Sequence, residues 1–249
     1  MRIAIAGGTG TVGRHIVAAA RERGHEAVVL ARSTGADVIT GAGVDDALAG
    51  ADAVIDASNA TTLSATKARA FFETATRTLL AAERRTGVGH HVALSIVGID
   101  AIDAAYYAGK LAQERAVAAG PVPYTIARAA QFHEFAGQLL SAMGGPFALM
   151  PKTLMRPVAA REVGEHLVAV AEAQPAGRAT DLVGPHDEVL ADLARRQLAH
   201  DGVRRRVLEV RLPGRYGAGL ASGSLRGTGT RLEGRITFDE WLESEDHPH

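Results

Sequence analysis

Three side chains in the middle of the chain have the types and spacing of an acid–base set: Ser95, Tyr106 and Lys110. Tyr106 and Lys110 stand four positions apart in Tyr106-Tyr107-Ala108-Gly109-Lys110. On a helix they share a face, while Tyr107 turns away by about 100°. A phenol is a poor acid–base at neutral pH because its pKa is about 10. An ammonium a few ångströms away favours the phenolate and brings that pKa towards the working range. A serine hydroxyl at a neighbouring strand end can hold a carbonyl oxygen. Such a set suits protonation of an oxygen while the attached carbon receives hydride. Gly109, inside the helix, costs about 1 kcal/mol relative to alanine.

A source of hydride is suggested at the N-terminus. Met1 to Gly13, MRIAIAGGTGTVG, opens with the apolar run Ile3 to Ala6 and carries glycines at Gly7, Gly10 and Gly13 before a helical pattern begins. A strand that turns on glycine into a helix aims the helix's free N–H groups and positive dipole end at an anion. The glycines admit a turn that side chains resist and let a pyrophosphate approach bare backbone. Gly7, Thr9, Gly10, Thr11, Val12 and Gly13 are therefore the expected cradle of a dinucleotide. About 20 residues further on, NAD-selective domains place an acidic residue on the ribose diol. That place holds Arg32, followed by Ser33. A guanidinium pairs bidentately with a 2′-phosphate, the serine adds a donor, and Arg14 is available as a second cation. The expected cofactor is NADP(H), with the Lys110 ammonium also able to hydrogen-bond the nicotinamide ribose.

The elements that must position these groups alternate. Strands are expected at Ile3 to Ala6, Ala27 to Ala31, Asp37 to Thr40, Ala53 to Ala57, His91 to Val97 and Tyr124 to Arg128, the second buried on both faces. Helices are expected from Val12 to Arg23, Val44 to Leu48, Ser64 to Arg85 and Ala104 to Ala119. This rhythm predicts an α/β fold, a doubly wound parallel sheet of the Rossmann type, with ligands beyond the carboxyl ends of the strands. Later helices are expected at Phe132 to Met143, Arg161 to Ala173 and Val189 to Ala199. The glycine-rich stretch from Pro213 to Gly234 is expected to be a mobile loop or lid, and Trp241 to anchor a last short helix. The expected division is an NADP-binding core over 1–130 and a substrate-binding region over 131–249, together one structural domain.

Of the 249 residues, 47% are hydrophobic and 22% charged, as in an ordinary globular protein. A net charge of −1 gives no field to attract nucleic acid, and Arg204-Arg205-Arg206 suits a solvated surface turn or strand start. The absence of cysteine removes disulfides, a thiolate nucleophile and cysteine zinc sites, and fits a cytoplasmic protein. Neither a signal peptide nor a membrane helix is expected. No metal is expected: His90 and His91 would point to opposite strand faces, and His247 and His249 fall in a tail expected to be disordered. The expected partner is a small-molecule substrate, with the chain a monomer or homodimer.

Together GGTGTVG, the Ser95 strand, the Tyr106-x-x-x-Lys110 helix and Pro123 to Arg128 resemble the short-chain dehydrogenase/reductase superfamily. The likeness is closest to its atypical NmrA-like, NAD(P)H-binding branch, with its quinone and isoflavone-type reductases; it extends through Arg156-Pro157-Val158 and loosens after Arg128. The resemblance implies that Gly7, Gly10, Gly13 and Arg32 hold the nucleotide, that Ser58 and Asn59 lie near the nicotinamide, and that Ser95, Tyr106 and Lys110 fill the Ser-Tyr-Lys roles. Gln131, Phe132 and His133 follow the sixth strand, where this fold puts substrate loops; His133 is alternatively a hydrogen-bonded structural side chain. The series Phe132, Phe135, Leu139, Met143, Phe147, Met150 and Met155 is core or, if it lines the cleft, implies a bulky apolar substrate such as a quinone, aromatic ketone or polyketide. The leading expectation is an NADPH-dependent reductase of a carbonyl, quinone or enone. The alternatives are a non-catalytic NADP(H) sensor and an NAD-dependent epimerase or dehydratase.

Overall fold

The computed structural model describes residues Met1 to His247. In chain order the first half runs β1 (Arg2–Ala6), α1 (Thr11–Glu22), β2 (Glu26–Leu30), α2 (Val44–Leu48), β3 (Ala53–Asp56), α3 (Ala65–Thr86), β4 (His90–Ile96), α4 (Ala105–Ala118) and β5 (Tyr124–Ala129). The second half runs α5 (Glu134–Ser141), β6 (Phe147–Pro151), β7 (Leu154–Met155), α6 (Ala160–Glu172), β8 (Gly177–Arg178), β9 (Asp181–Val183), β10 (Glu188–Val189), α7 (Leu190–His200), β11 (Arg206–Val210), α8 (Gly214–Ala221), β12 (Arg231–Glu233) and α9 (Phe238–Leu242).

The contacts divide the chain into two compact units. The first comprises Met1–Ser95, Ala104–Arg128 and Arg161–Thr180. Its sheet has the order β5-β4-β3-β1-β2, with β8 beside β5, and the pairings of β1 with β2 and β3, and of β3 with β4, are parallel. The inner strands β1 and β3 are almost wholly buried, as apolar strands covered by helices on both faces must be. Ser64 caps α3, accepting from the Lys67 N–H, and Gly87 ends it at φ 79°. Gly109 is a packing position: a Cβ there would lie 2.7 Å from the Cβ of Ala68, so its helix-propensity cost is offset by the close approach of α4 to α3. Arg128 and Glu114, a buried bidentate pair at 2.6 and 2.7 Å, tie α4 to β5. Glu172, at the end of α6, pairs with Arg23 and His25 beyond α1, which places α6 in this unit.

One expected strand is absent. Asp37 to Thr40 forms turns, with Asp37 accepting from the Ile39 and Gly41 N–H groups and donating its own N–H to Ala42. An aspartate that bonds its own following backbone competes with a ladder and wins where two glycines follow. Consequently β2 is the edge of the sheet, half-buried over most of its length and not covered on both faces.

The second unit comprises Ile96–Asp103, Ala129–Ala160 and Asp181–His249. Neither unit follows a single cut at residue 130. Here β9 pairs in parallel with β12 and, through Leu182, with Ala129; β6 pairs with β11, and β7 with β10. The stretch from Pro213 to Gly234 is not a loop: it holds α8, a 3-10 turn at Ser224–Arg226 and β12, with Leu220 and Leu225 buried. Its glycines serve close packing, since a Cβ at Gly219 would lie 2.6 Å from the Ile102 side chain. The helix expected over Phe132 to Met143 is the shorter α5. Arg205 is not merely solvated, because its guanidinium donates to the Leu140 and Met143 carbonyls at the end of α5. Met150 and Met155 are core, whereas Phe147 is 49% exposed. Trp241 and Phe238 of α9 stack and are buried, as an anchor should be.

Candidate active site

The chain runs from β1 outward to β2, then returns to β3 on the other side of β1. That reversal opens a crevice beyond the carboxyl ends of β1 and β3, the place where open α/β sheets bind ligands. Two segments of the first unit meet there, the Gly7 to Gly13 turn and the Asp56 to Asn59 loop. Gly7 has φ 77°, and a Cβ on it would lie 2.6 Å from the Ala57 carbonyl oxygen. At Gly13 a Cβ would sit 2.0 Å from the Gly7 carbonyl oxygen. Both positions therefore exclude any side chain. The turn is held by the Gly10 N–H donating to the Gly7 carbonyl at 2.9 Å. The first helical bond runs from the Arg14 N–H to the Gly10 carbonyl, which leaves the Val12 and Gly13 N–H groups with no acceptor among the described residues.

Arg32 and Ser33 lie in an exposed 3-10 turn directly after β2. The Arg32 guanidinium makes no hydrogen bond or ion pair among the described residues, so it is available to a phosphate. Ser58 is buried, and its Oγ has no hydrogen-bond partner among the described residues. Its N–H donates to Asp56 Oδ1 at 2.9 Å, which fixes the loop after β3. Bare backbone, two free N–H groups, an unpaired guanidinium and an unsatisfied buried hydroxyl together fit the phosphates and sugars of a dinucleotide.

The acid–base candidates are arranged differently from the expectation. Tyr106 is half-buried in the first turn of α4, and its hydroxyl donates to Asn59 Oδ1 at 2.8 Å. Ala105, just before it, has φ 50°, an unusual conformation for a residue with a Cβ. Lys110 is buried; its ammonium donates to Gln113 Oε1 and stands 4.6 Å from the centre of the Phe72 ring. Gln113 in turn donates to Asp56 Oδ2 at 2.8 Å. The i, i+4 spacing holds, but the lysine turns into the helix pair where a carboxylate-backed amide awaits it. Burial lowers the Lys110 pKa to about 8 against the pull of Asp56 and Glu114. For Tyr106 the direction is opposite to the expected one: burial and the negative charge of Asp56 raise its pKa, keeping the phenol protonated. Ser95 is buried at the end of β4, with its Oγ lacking a partner among the described residues. Sequence reasoning missed Asp56 and Gln113. The only signal was an aspartate closing an otherwise apolar strand.

The remaining candidates lie in the second unit. Gln131 and Phe132 are half-buried and engaged with Val158, through a backbone hydrogen bond and a β-bridge respectively. His133 is 1% exposed; its Nε2 donates to the Ile236 carbonyl at 3.0 Å and its ring packs on Phe238 and Trp241. Burial lowers its pKa to about 4, so the ring is neutral at physiological pH. In the first unit, His91 is buried against Glu83 at 2.7 Å and its pKa is raised by that carboxylate despite desolvation, while His90 bonds Thr125 at 2.8 Å. His247 is not in a disordered tail: it is buried and bonded to Asp201, whereas His249 lies outside the described residues.

No helix of the described chain is long and apolar enough to cross a membrane. No curated protein matches the chain. Similar solved structures include an NADPH-dependent quinone oxidoreductase from Escherichia coli complexed with NADPH, 17% identical, covering 97% of this chain and 98% of that one with a TM-score of 0.74. A nucleoside-diphosphate-sugar epimerase from Staphylococcus aureus is 15% identical, with 98% and 100% coverage and a TM-score of 0.68. A triphenylmethane reductase from Citrobacter sp. is 16% identical, with 91% and 90% coverage and a TM-score of 0.66. At these identities the likeness is one of fold. A family model described as NAD(P)H-binding matches residues 7–174, from the first glycine of the turn to the end of α6. The chain belongs to the NAD(P)H-binding family, and its cofactor is NAD(P)H.

Proposed function

We propose that the protein is an NADPH-dependent reductase of a carbonyl, quinone or enone on a moderately bulky apolar substrate. The observation that carries the choice of nucleotide is Arg32, an exposed guanidinium with no partner among the described residues at the end of β2, where a carboxylate would repel a 2′-phosphate. Gly7, Thr9, Gly10, Thr11, Val12 and Gly13 would cradle the pyrophosphate, and Ser58 and Asn59 would face the nicotinamide side. When bound, the reduced nicotinamide supplies hydride. Tyr106 exchanges its bond to Asn59 for one to the substrate oxygen and delivers the phenolic proton. Its raised pKa keeps the phenol in the protonated form that reduction requires but makes it a weaker acid, so proton delivery relies on the negative charge that develops on the substrate oxygen. Ser95 offers its unsatisfied hydroxyl to the same oxygen. Lys110 acts through Gln113 and Asp56, holding the loop that carries Ser58 and Asn59. The quinone oxidoreductase and triphenylmethane reductase of similar fold support a conjugated substrate.

The bonding of Lys110 away from Tyr106 also favours a second reading, an NADP(H) sensor without turnover. Tyr106→Phe separates the two. As an enzyme, the variant loses at least about 100-fold in NADPH oxidation with a quinone panel, the range for a general acid, and keeps its NADPH affinity. If the unaltered protein oxidises NADPH no faster than Tyr106→Phe does with any quinone, ketone or enone, the sensor stands.

A further inference from the structure

We propose that the second unit carries a binding site for a divalent transition-metal ion of the zinc type, formed by His200, Asp201 and His247. They come from two distant parts of the chain. His200 ends α7, Asp201 is its capping residue, and His247 follows the turn after α9. His247 Nε2 donates to Asp201 Oδ1 at 2.7 Å, and His200 Nδ1 stands 3.1 Å from the same oxygen. One ligand atom from each residue lies within 4.8 Å of the other two. In a tetrahedral zinc site with bonds of about 2.1 Å, neighbouring ligand atoms are roughly 3.4 Å apart. To admit an ion in place of the shared proton contacts, the His200–Asp201 and His247–Asp201 pairs open by roughly 0.3 and 0.7 Å, while the two imidazoles, within 4.8 Å of each other, draw together.

Three further features suit the site. Glu243 Oε1 lies 3.6 Å from His200 Nε2, so a carboxylate already faces the far nitrogen of a ligand imidazole, as outer-shell partners of metal-bound histidines do. The His247 side chain is fully enclosed, its ring centre 4.9 Å from that of Trp241 and 5.2 Å from that of His200, which sets its orientation in advance. Two imidazoles with one carboxylate select a borderline ion such as Zn²⁺ over Ca²⁺ or Mg²⁺, which require oxygen ligands. Asp201 and His200 remain 29% and 24% exposed, which leaves an entry path and room for water in the remaining coordination positions. The ion would pin the end of the chain to α7 and stabilise the unit by mass action.

Trp241 is the only tryptophan, and it touches a proposed ligand. Chelator-treated protein titrated with Co²⁺ should therefore show saturable quenching of tryptophan emission together with visible cobalt bands, both reversed by Zn²⁺. His247→Gln should weaken Co²⁺ binding at least about tenfold. Because that change also loosens a buried contact, the partly exposed His200→Asn is the second variant. It should keep the tryptophan emission of the unaltered protein and lose Co²⁺ binding by a similar factor. Quenching that Zn²⁺ does not reverse, or equal Co²⁺ affinity in His200→Asn, would overturn the site and leave the cluster as a hydrogen-bonded latch.

Discussion

Replacing Arg32 by alanine is the most informative perturbation of the nucleotide site. Arg32 is exposed at the end of β2 and has no ion pair to break among the described residues, so its loss should leave the fold intact. Hydrogen bonds to charged groups contribute about 1.5–3 kcal/mol. Exposure places Arg32 in the lower half of that range, since water and salt screen the pair. With roughly 1.4 kcal/mol per factor of ten, the Kd for NADPH should rise about ten- to thirtyfold. The Kd for NADH, which lacks the 2′-phosphate, should change less than about twofold, since nothing charged is lost to it. Fluorescence titration of the reduced nicotinamide at two ionic strengths measures both, and the gap between NADPH and NADH should narrow at the higher salt. Equal weakening of NADH and NADPH would refute the assignment of Arg32 to the phosphate, and equal affinities in the unaltered protein would revive an NAD-dependent epimerase.

Two further predictions test the elements around that site. Gly13→Ala must displace the Gly7 carbonyl oxygen, 2.0 Å from the added carbon, so the turn opens. Overpacking of this kind costs about 1–3 kcal/mol, which thermal unfolding will show, and NADPH titration should be flat where the unaltered protein saturates. His133 has a folded pKa of about 4, below its unfolded value, so the unfolded chain binds more protons between pH 6.5 and 4. Stability therefore falls as pH falls through that window, by about 3 kcal/mol in all from this residue. His133→Gln can keep a bond to the Ile236 carbonyl and should flatten the acid limb of the denaturant midpoint. His91 has the opposite sign: its raised pKa adds stability below pH 6.5 that is lost as pH rises through the folded value, so only the difference between variant and unaltered protein isolates His133. An unchanged slope in His133→Gln would show that its ring is not desolvated.

The order of helices and strands up to β5 was legible because each element carries its own periodicity and its own stop, as with Ser64 and Gly87 around α3. The glycine turn was legible for the same reason: strand, turn and helix are contiguous, and their chemistry is backbone chemistry. Asp37 to Thr40 misled because its apolar pair suits a strand, while the bonds that decide the matter run from the aspartate to its own neighbours. Pro213 to Gly234 misled because glycine signals looseness unless something packs against it, and Ile102 is more than a hundred residues away in the chain.

Sequence alone determined the fold class, the strand–glycine turn–helix at the N-terminus and the shared face of Tyr106 and Lys110, all of which follow from local spacing. Tertiary structure alone decided what those side chains meet. Asp56, at the end of β3, draws Gln113 and through it Lys110 away from the phenol, and burial together with the Asp56 charge raises the Tyr106 pKa. It likewise brought His247 onto Asp201. A pKa or a ligand set depends on which distant groups share a buried volume, and only packing fixes that.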